Sequence, residues 1–105
     1  MNKLKIGVDI THISRFVNKS NSFIDRLLSA DELVKFDKLK QKQKQLFLAR
    51  SWAIKEAIFK ADNQYYKFKE IDIKKINNRW IFKDFIITIS HEKDILIAFV
   101  INMGE

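Results

Sequence analysis

Two periodicities of apolar residues divide this chain and limit it to a small set of folds. From Gln45 to Ala61 the apolar positions fall at helical spacing, with Leu46, Phe47, Ala49, Ala53, Ala57 and Ala61 on or near one side. Beyond Lys69 the period becomes two: Ile71 and Ile73, then Trp80 and Phe82, then Phe85, Ile87 and Ile89, then Ile95, Ile97, Phe99 and Ile101. That pattern predicts four strands. Asn77-Asn78 suits a tight hairpin turn between the first two, because Asn tolerates positive φ; Lys83-Asp84 and Glu92-Lys93-Asp94 make the later turns. A period-two run also opens the chain, where Leu4, Ile6 and Val8 alternate with Lys3, Lys5 and Gly7, as in a strand with one buried face. The order strand, helices, antiparallel strands is that of an α+β fold, and residues 1–105 read as a single domain.

The segment between the first strand and the long helix reads as short helices. Asp9 falls at the predicted strand end, and Thr11 is placed to cap a short helix. Ser20-Asn21-Ser22 breaks the chain before an amphipathic helix over residues 23–28. Ser29-Ala30-Asp31-Glu32 then has the form of a capping box, with Leu33, Phe36 and Leu39 at helical spacing after it. The Lys- and Gln-rich run from Lys38 to Gln45 reads as a solvated connection between helices, with a basic binding patch as the alternative. The long helix ends near Asp62-Asn63.

Composition removes several function classes. The chain has 105 residues, of which 47% are hydrophobic, including nine Phe and two Trp. A domain of this size buries about 60–70% of its unfolded surface, so a shallow cleft or a subunit interface is expected rather than a deep cavity. The absence of Cys excludes disulfides, thiolate metal sites and a cysteine nucleophile. No apolar run has the length of a membrane span, and Met1-Asn2-Lys3 leads into no signal-peptide core; a cytoplasmic protein is expected. The net charge of +7 points to an anionic partner. Lys and Arg are spread along the chain rather than clustered, which disfavours a nucleic-acid-binding module.

The residues that carry chemistry are few. Glycine-rich phosphate loops and paired-His metal motifs are lacking. Ser90 and His91, as neighbours on a strand, point to opposite faces and make a poor catalytic pair. There remain Asp9 on the first strand, Glu56 and Lys60 on the long helix, and His91 near a turn. Ala53, Ala57 and Ala61 form a smooth stripe that another element can approach closely. Glu56 and Lys60, four residues apart, make on spacing alone an ordinary surface ion pair of about 0.2–0.5 kcal/mol. Two carboxylates from separate elements also suit magnesium, which takes one or two carboxylates completed by water and phosphates; Lys60 then faces the phosphates.

These residues stand in a longer pattern. Ile6-Gly7-Val8-Asp9-Ile10 with Arg15-Phe16, then Phe47-Leu48-Ala49 and Trp52-Ala53-Ile54-Lys55-Glu56-Ala57 with Lys60-Ala61, then Ile89-Ser90-His91, resembles the holo-acyl-carrier-protein synthases. These are the small bacterial type of 4′-phosphopantetheinyl transferase. Arg26-Leu27-Leu28-Ser29-Ala30-Asp31-Glu32-Leu33 is similar to a further segment of that family. The resemblance implies a magnesium-dependent transfer of the phosphopantetheine arm of coenzyme A to a serine of apo-acyl carrier protein. Adenosine 3′,5′-bisphosphate is released, in support of fatty acid and lipid biosynthesis. It implies Asp9 and Glu56 as magnesium ligands, Glu56 and Lys60 as catalytic, and Lys60, Arg50, Ser51, Ser90 and His91 at coenzyme A. Arg15 and Arg26 are implied at the carrier protein. It implies a homotrimer with sites between subunits, Asp9 and Glu56 coming from facing subunits or from one shared wall. The chain departs from the family where Arg50-Ser51 replaces the usual Gly-Arg, where Asp62-Asn63-Gln64-Tyr65-Tyr66-Lys67 replaces a glycine-rich loop, and at Asn77-Asn78. A homologue that binds coenzyme A or carrier protein without turnover is the alternative these departures suggest.

Overall fold

The alanine stripe lies on a helix of 21 residues, α3 (Gln41–Ala61), which crosses one face of an antiparallel sheet. The computed structural model describes residues 4–104; Lys3, the first position of the predicted alternation, lies outside them. The other elements, in chain order, are β1 (Lys5–His12), a 3₁₀ turn at Ile13–Phe16, α1 (Asn21–Leu27) and α2 (Ala30–Asp37) before α3. A second 3₁₀ turn at Phe68–Glu70, then β2 (Lys74–Ile76), β3 (Arg79–Phe82), β4 (Phe85–Glu92) and β5 (Ile95–Asn102), follow it. Among the described residues the sheet order is β1-β5-β4-β3-β2, so the first strand pairs with the last. The α+β order expected from the sequence is the order found.

Local chemistry accounts for the element ends. Ser20 caps α1 by accepting the Phe23 N–H at 3.1 Å. Ser29 and Glu32 form the predicted capping box of α2, each side chain accepting the other's backbone N–H. Asn77 and Asn78 both adopt positive φ, 51° and 65°, the conformation a two-residue hairpin needs. Lys83 and Lys93 take the same left-handed conformation in the two later turns.

Four expectations are corrected. α3 starts at Gln41 rather than Gln45, so most of the Lys/Gln run is helix and only Lys38 to Lys40 is connection. Ile71 and Ile73 lie outside the sheet; both are buried, and β2 begins one residue later at Lys74. Thr11 is no cap: β1 continues through it to His12, and its buried hydroxyl accepts from the Arg15 guanidinium at 3.0 Å. The fourth correction concerns the faces of β1 and β5. The alternation is present, but Ile6, Val8 and Ile10 point away from α3 and are 55%, 51% and 60% exposed. Ile95, Ile97 and Phe99 share that outer face through the register Ile10↔Ile97 and Val8↔Phe99. The core is built instead from the alternate positions Leu96, Ala98 and Val100, with Leu48, Ala49, Ala53, Ile54, Ala57 and Ile58 of α3.

Two features fix α3 on this sheet. The first is Gly7, on the inner face of β1. A Cβ built there would lie 1.9 Å from the Ala57 carbonyl oxygen and 2.9 Å from the Ala61 nitrogen, so backbone meets backbone and a side chain has no room. The second is a buried ion pair. The Lys55 ammonium, fully buried, donates to Glu32 Oε1 at 2.7 Å, to the Leu27 carbonyl at 2.6 Å and to the Phe68 carbonyl at 2.9 Å. Glu32 Oε1 also accepts the Ser29 N–H, and Oε2 accepts the Ile73 N–H at 2.8 Å. One pair thus ties together the end of α1, the start of α2, the second 3₁₀ turn and the approach to β2. Burial pushes the Lys55 pKa down, and the Glu32 charge opposes that shift.

Two stability predictions follow from these contacts. Gly7→Ala forces α3 off the sheet and is expected to cost about 1–3 kcal/mol in urea unfolding. Lys55→Met leaves the Glu32 carboxylate buried and alone, at an expected cost of about 3–5 kcal/mol; adding Glu32→Leu recovers only part of that loss, because the unpaired charge is gone but the Ser29 and Ile73 N–H groups lose their acceptor.

Candidate functional site

The inner face of β1 carries one carboxylate, Asp9, beside the Gly7 contact. It lies in the interior of the strand, opposite Ala98 of β5, and not at a strand end as the sequence suggested. Because the helix backbone sits directly on Gly7, Asp9 is brought against the next turns of α3, where Glu56 and Lys60 project. The Lys60 ammonium donates to Asp9 Oδ1 at 3.0 Å and to the Val8 carbonyl at 3.1 Å. The ion pair is therefore Lys60–Asp9 across elements, and the Glu56–Lys60 surface pair that helical spacing allowed is not formed.

The electrostatics of this corner are those of two neighbouring carboxylates of which only Asp9 has a direct ion-pair partner. Partial burial and the Asp9 charge raise the pKa of Glu56, while Lys60 and Arg15 oppose the shift. The second oxygen of Asp9, Oδ2, is buried and has no hydrogen-bond partner. An unpaired buried carboxylate oxygen is costly, and a second carboxylate beside it makes a cation the natural partner. Among the described residues no group of three or more His, Asp or Glu side chains is arranged to hold a metal ion. The side chains here that could hold an ion are the Asp9–Glu56 pair, a donor set that suits a hard, oxygen-seeking cation that keeps open positions.

Arg15 stands on the same side. Its guanidinium lies 5.7 Å from the Trp52 ring and 5.5 Å from the Phe16 ring, and donates to Thr11. Trp52 is in turn packed by Phe16, Phe23 and Phe68, so an aromatic platform holds a cation one helical turn from Glu56. Lys19 adds a second, 4.8 Å from the Phe23 ring. Arg26 is exposed on α1 and borders a separate open groove of about 400 Å³ with Tyr66, Lys67 and Lys69.

Arg50 and Ser51 lie elsewhere. They line a cavity of about 450 Å³ walled by α2, α3 and the β2–β3 hairpin, with Phe47, Ile54 and Trp80. Arg50 sits 5.2 Å from the Trp80 ring, its Nε is buried without a partner, and burial lowers its pKa. Trp80 is on β3 and Asp9 on β1, with β5 and β4 between them. One chain therefore does not bring Arg50 and Ser51 to Asp9, Glu56 and Lys60. Ser90 and His91 are both exposed on β4 and point to opposite faces: Ser90 shares the outer face with Ile97, and His91 the inner face with Leu96.

Three contributors went unread in the sequence: Gly7 as a backbone contact, Lys55 as a buried anchor and Thr11 as the acceptor for Arg15. For Gly7 a signal existed, since it is one of only two glycines and sits inside a strand.

The chain is similar to known proteins over nearly all of its length. The family model described as the 4′-phosphopantetheinyl transferase superfamily matches residues 5–100. A holo-(acyl-carrier-protein) synthase of Mycoplasma mobile is 53% identical over 97 residues, 92% of this chain and 87% of that protein. Its counterpart in Mycoplasmopsis pulmonis is 48% identical over 104 residues, covering 99% of this chain and 94% of the relative. A crystal structure of the Bacillus anthracis synthase in complex with CoA (3′,5′-ADP) superposes with a TM-score of 0.83 at 25% identity, covering 100% of both chains.

The raised Glu56 pKa gives a test with a definite sign. Between its ordinary value of 4.5 and its raised value, the folded state binds more protons than the unfolded one, so stability falls as pH rises through that window. Once ionised, Glu56 therefore works against the metal-free fold. Glu56→Gln is expected to raise the melting temperature at pH 7, with the difference closing as pH falls towards 4.5, as followed by thermal unfolding in chelator.

Proposed function

The chain belongs to the 4′-phosphopantetheinyl transferase superfamily, and from that premise we infer that it is a holo-(acyl-carrier-protein) synthase. It transfers the 4′-phosphopantetheine arm of coenzyme A to a serine of apo-acyl carrier protein and releases adenosine 3′,5′-bisphosphate. The observation that carries the reading is the meeting of Asp9, Glu56 and Lys60 at one edge of α3, with Asp9 Oδ2 buried and unpartnered. In the reaction the serine oxygen forms a bond to the β-phosphorus of coenzyme A. The bond from that phosphorus to the bridging oxygen breaks, and the nucleotide phosphate leaves with the electron pair.

The residues take roles that fit their surroundings. Asp9 and Glu56 are the ligands that would hold magnesium, and bound there it would neutralise charge on the pyrophosphate. Lys60, half exposed on a long side chain, reaches the phosphate oxygens. Glu56, which holds its proton more strongly than an ordinary glutamate, is placed to orient the serine or take its proton, directly or through water. Arg15 and Lys19 on the aromatic platform present positive charge to an acidic carrier protein, and Arg26 extends that surface.

The outer sheet face supports a closed oligomer, and we take it as a homotrimer in line with the family. Ile6, Val8, Ile10, Ile86, Ile97 and Phe99 form an uncovered apolar surface of the kind that marks an interface. Asp9 and Glu56 come from one chain, so the shared-wall form of the site is the one adopted. Arg50, Ser51 and His91 then serve the site of a neighbouring copy, where they contact the nucleotide end of coenzyme A. No described helix is long and apolar enough to cross a membrane, and the protein is assigned to the cytoplasm.

The test is incubation with apo-acyl carrier protein, coenzyme A and magnesium, read by mass spectrometry. Wild type is expected to add the arm, and Glu56→Ala to lose at least about 100-fold in rate; no product from wild type overturns the reading. Light scattering on Phe99→Asp, expected to give an inactive monomer from an active trimer, tests the assembly.

A further inference from the structure

We propose that Lys60 is the resident counter-ion of Asp9 and competes with a divalent cation for that carboxylate, so that metal and substrate phosphate bind cooperatively. Phosphate draws Lys60 away and opens Asp9 to the metal. The inference rests on the phosphate-handling role given to Asp9, Glu56 and Lys60 above.

The two partners differ in freedom. The Asp9 side chain is 11% exposed and that of Lys60 50%. Asp9 is held in the middle of a paired strand, whereas Lys60 ends in solvent on four rotatable bonds. The helix behind Lys60 is fixed on both sides, by Ala57 and Ala61 against Gly7 and by Lys5 donating to Asp62 at 2.8 Å. Any motion of the ammonium is therefore motion of its side chain alone. Two of its three N–H donors are used, on Asp9 Oδ1 and the Val8 carbonyl.

Charge gives the reason for exchange. Asp9 and Glu56 bring two negative charges; Lys60 touches only Asp9, and the Arg15 guanidinium is held by Thr11 and the Trp52 and Phe16 rings rather than by either carboxylate. Lys60 satisfies one oxygen of Asp9 and leaves Oδ2 without a partner. A divalent cation supplies the second charge and serves both carboxylates, but it meets a lysine already on Oδ1. Phosphate oxygens offer that lysine an alternative partner and offer the metal further ligands. Whatever phosphate gains for metal binding, metal must return to phosphate binding, because the coupling free energy is shared.

The experiment is calorimetric titration of Mn²⁺ alone into the full chain without coenzyme A, for wild type, Lys60→Met, Lys60→Arg and the remote-charge control Lys44→Met. Lys60→Met is expected to bind Mn²⁺ about fivefold more tightly than wild type although it transfers the arm more slowly; Lys60→Arg and Lys44→Met keep the wild-type affinity. Coenzyme A titrated with and without magnesium is expected to show a larger gain from metal in wild type than in Lys60→Met. Equal or weaker Mn²⁺ binding by Lys60→Met overturns the inference, since Lys60 then only orients Asp9. An equal gain in Lys44→Met overturns it as well, because a general charge effect suffices. If neither wild type nor Lys60→Met binds Mn²⁺, the Asp9–Glu56 site itself fails, and this inference with it.

Discussion

The contact between Gly7 and the backbone of α3 governs both the fold and the site. With no Cβ on the strand and alanines on the helix, α3 comes within backbone contact of β1. That closeness sets the gap between Asp9, two residues along the strand, and Glu56, next to Ala57 on the helix. A larger residue at position 7 would widen the gap and part the two carboxylates. The raised Glu56 pKa is a product of the same approach, since burial and the Asp9 charge both act through it. Fold stability and ion chemistry are thus in opposition at this corner, the usual condition of a site held ready for a charged ligand.

The Lys55–Glu32 pair supplies the opposing rigidity. Apolar packing holds α3 to the sheet, and the short elements around it, which give Phe16, Leu27, Leu28 and Phe36 to the core, carry a specific polar anchor as well. Three carbonyl or carboxylate acceptors on one ammonium, and two backbone donors on its partner carboxylate, provide that anchor. A buried pair with all three ammonium donors and both carboxylate oxygens engaged specifies an arrangement more than it adds net stability. Here the arrangement specified includes the rotation of α3, and hence the direction in which Glu56, the next residue, projects.

Much of this was legible in the sequence. The element order, the capping box, the Asn-Asn hairpin and the extent of the long helix to Ala61 came from local chemistry, which acts over a few residues. Asp9, Glu56 and Lys60 stand out by residue type, but the contact that joins Lys60 to Asp9 does not. Helical spacing couples Glu56 to Lys60, and it takes the tertiary contact at Gly7 to offer Lys60 a better-placed partner in Asp9. Glu32 and Lys55 have ordinary local readings, as a cap residue and a motif residue, and nothing within a few positions of either shows that they meet.

The strand faces failed for a different reason. Alternation with period two identifies a strand but gives its buried side only when one set of positions is polar. In β5 both sets are apolar, Ile95, Ile97 and Phe99 against Leu96, Ala98 and Val100, and in β1 the apolar set is the one that faces away from α3. The inner set of β1 is Lys5, Gly7, Asp9 and Thr11, chosen by the site and by the helix contact rather than by hydrophobicity. A strand whose functional residues face its own core must place its apolar residues on the other side. That outer surface is of the kind that another protein surface covers, so the misread faces and the expectation of an oligomer have one physical origin.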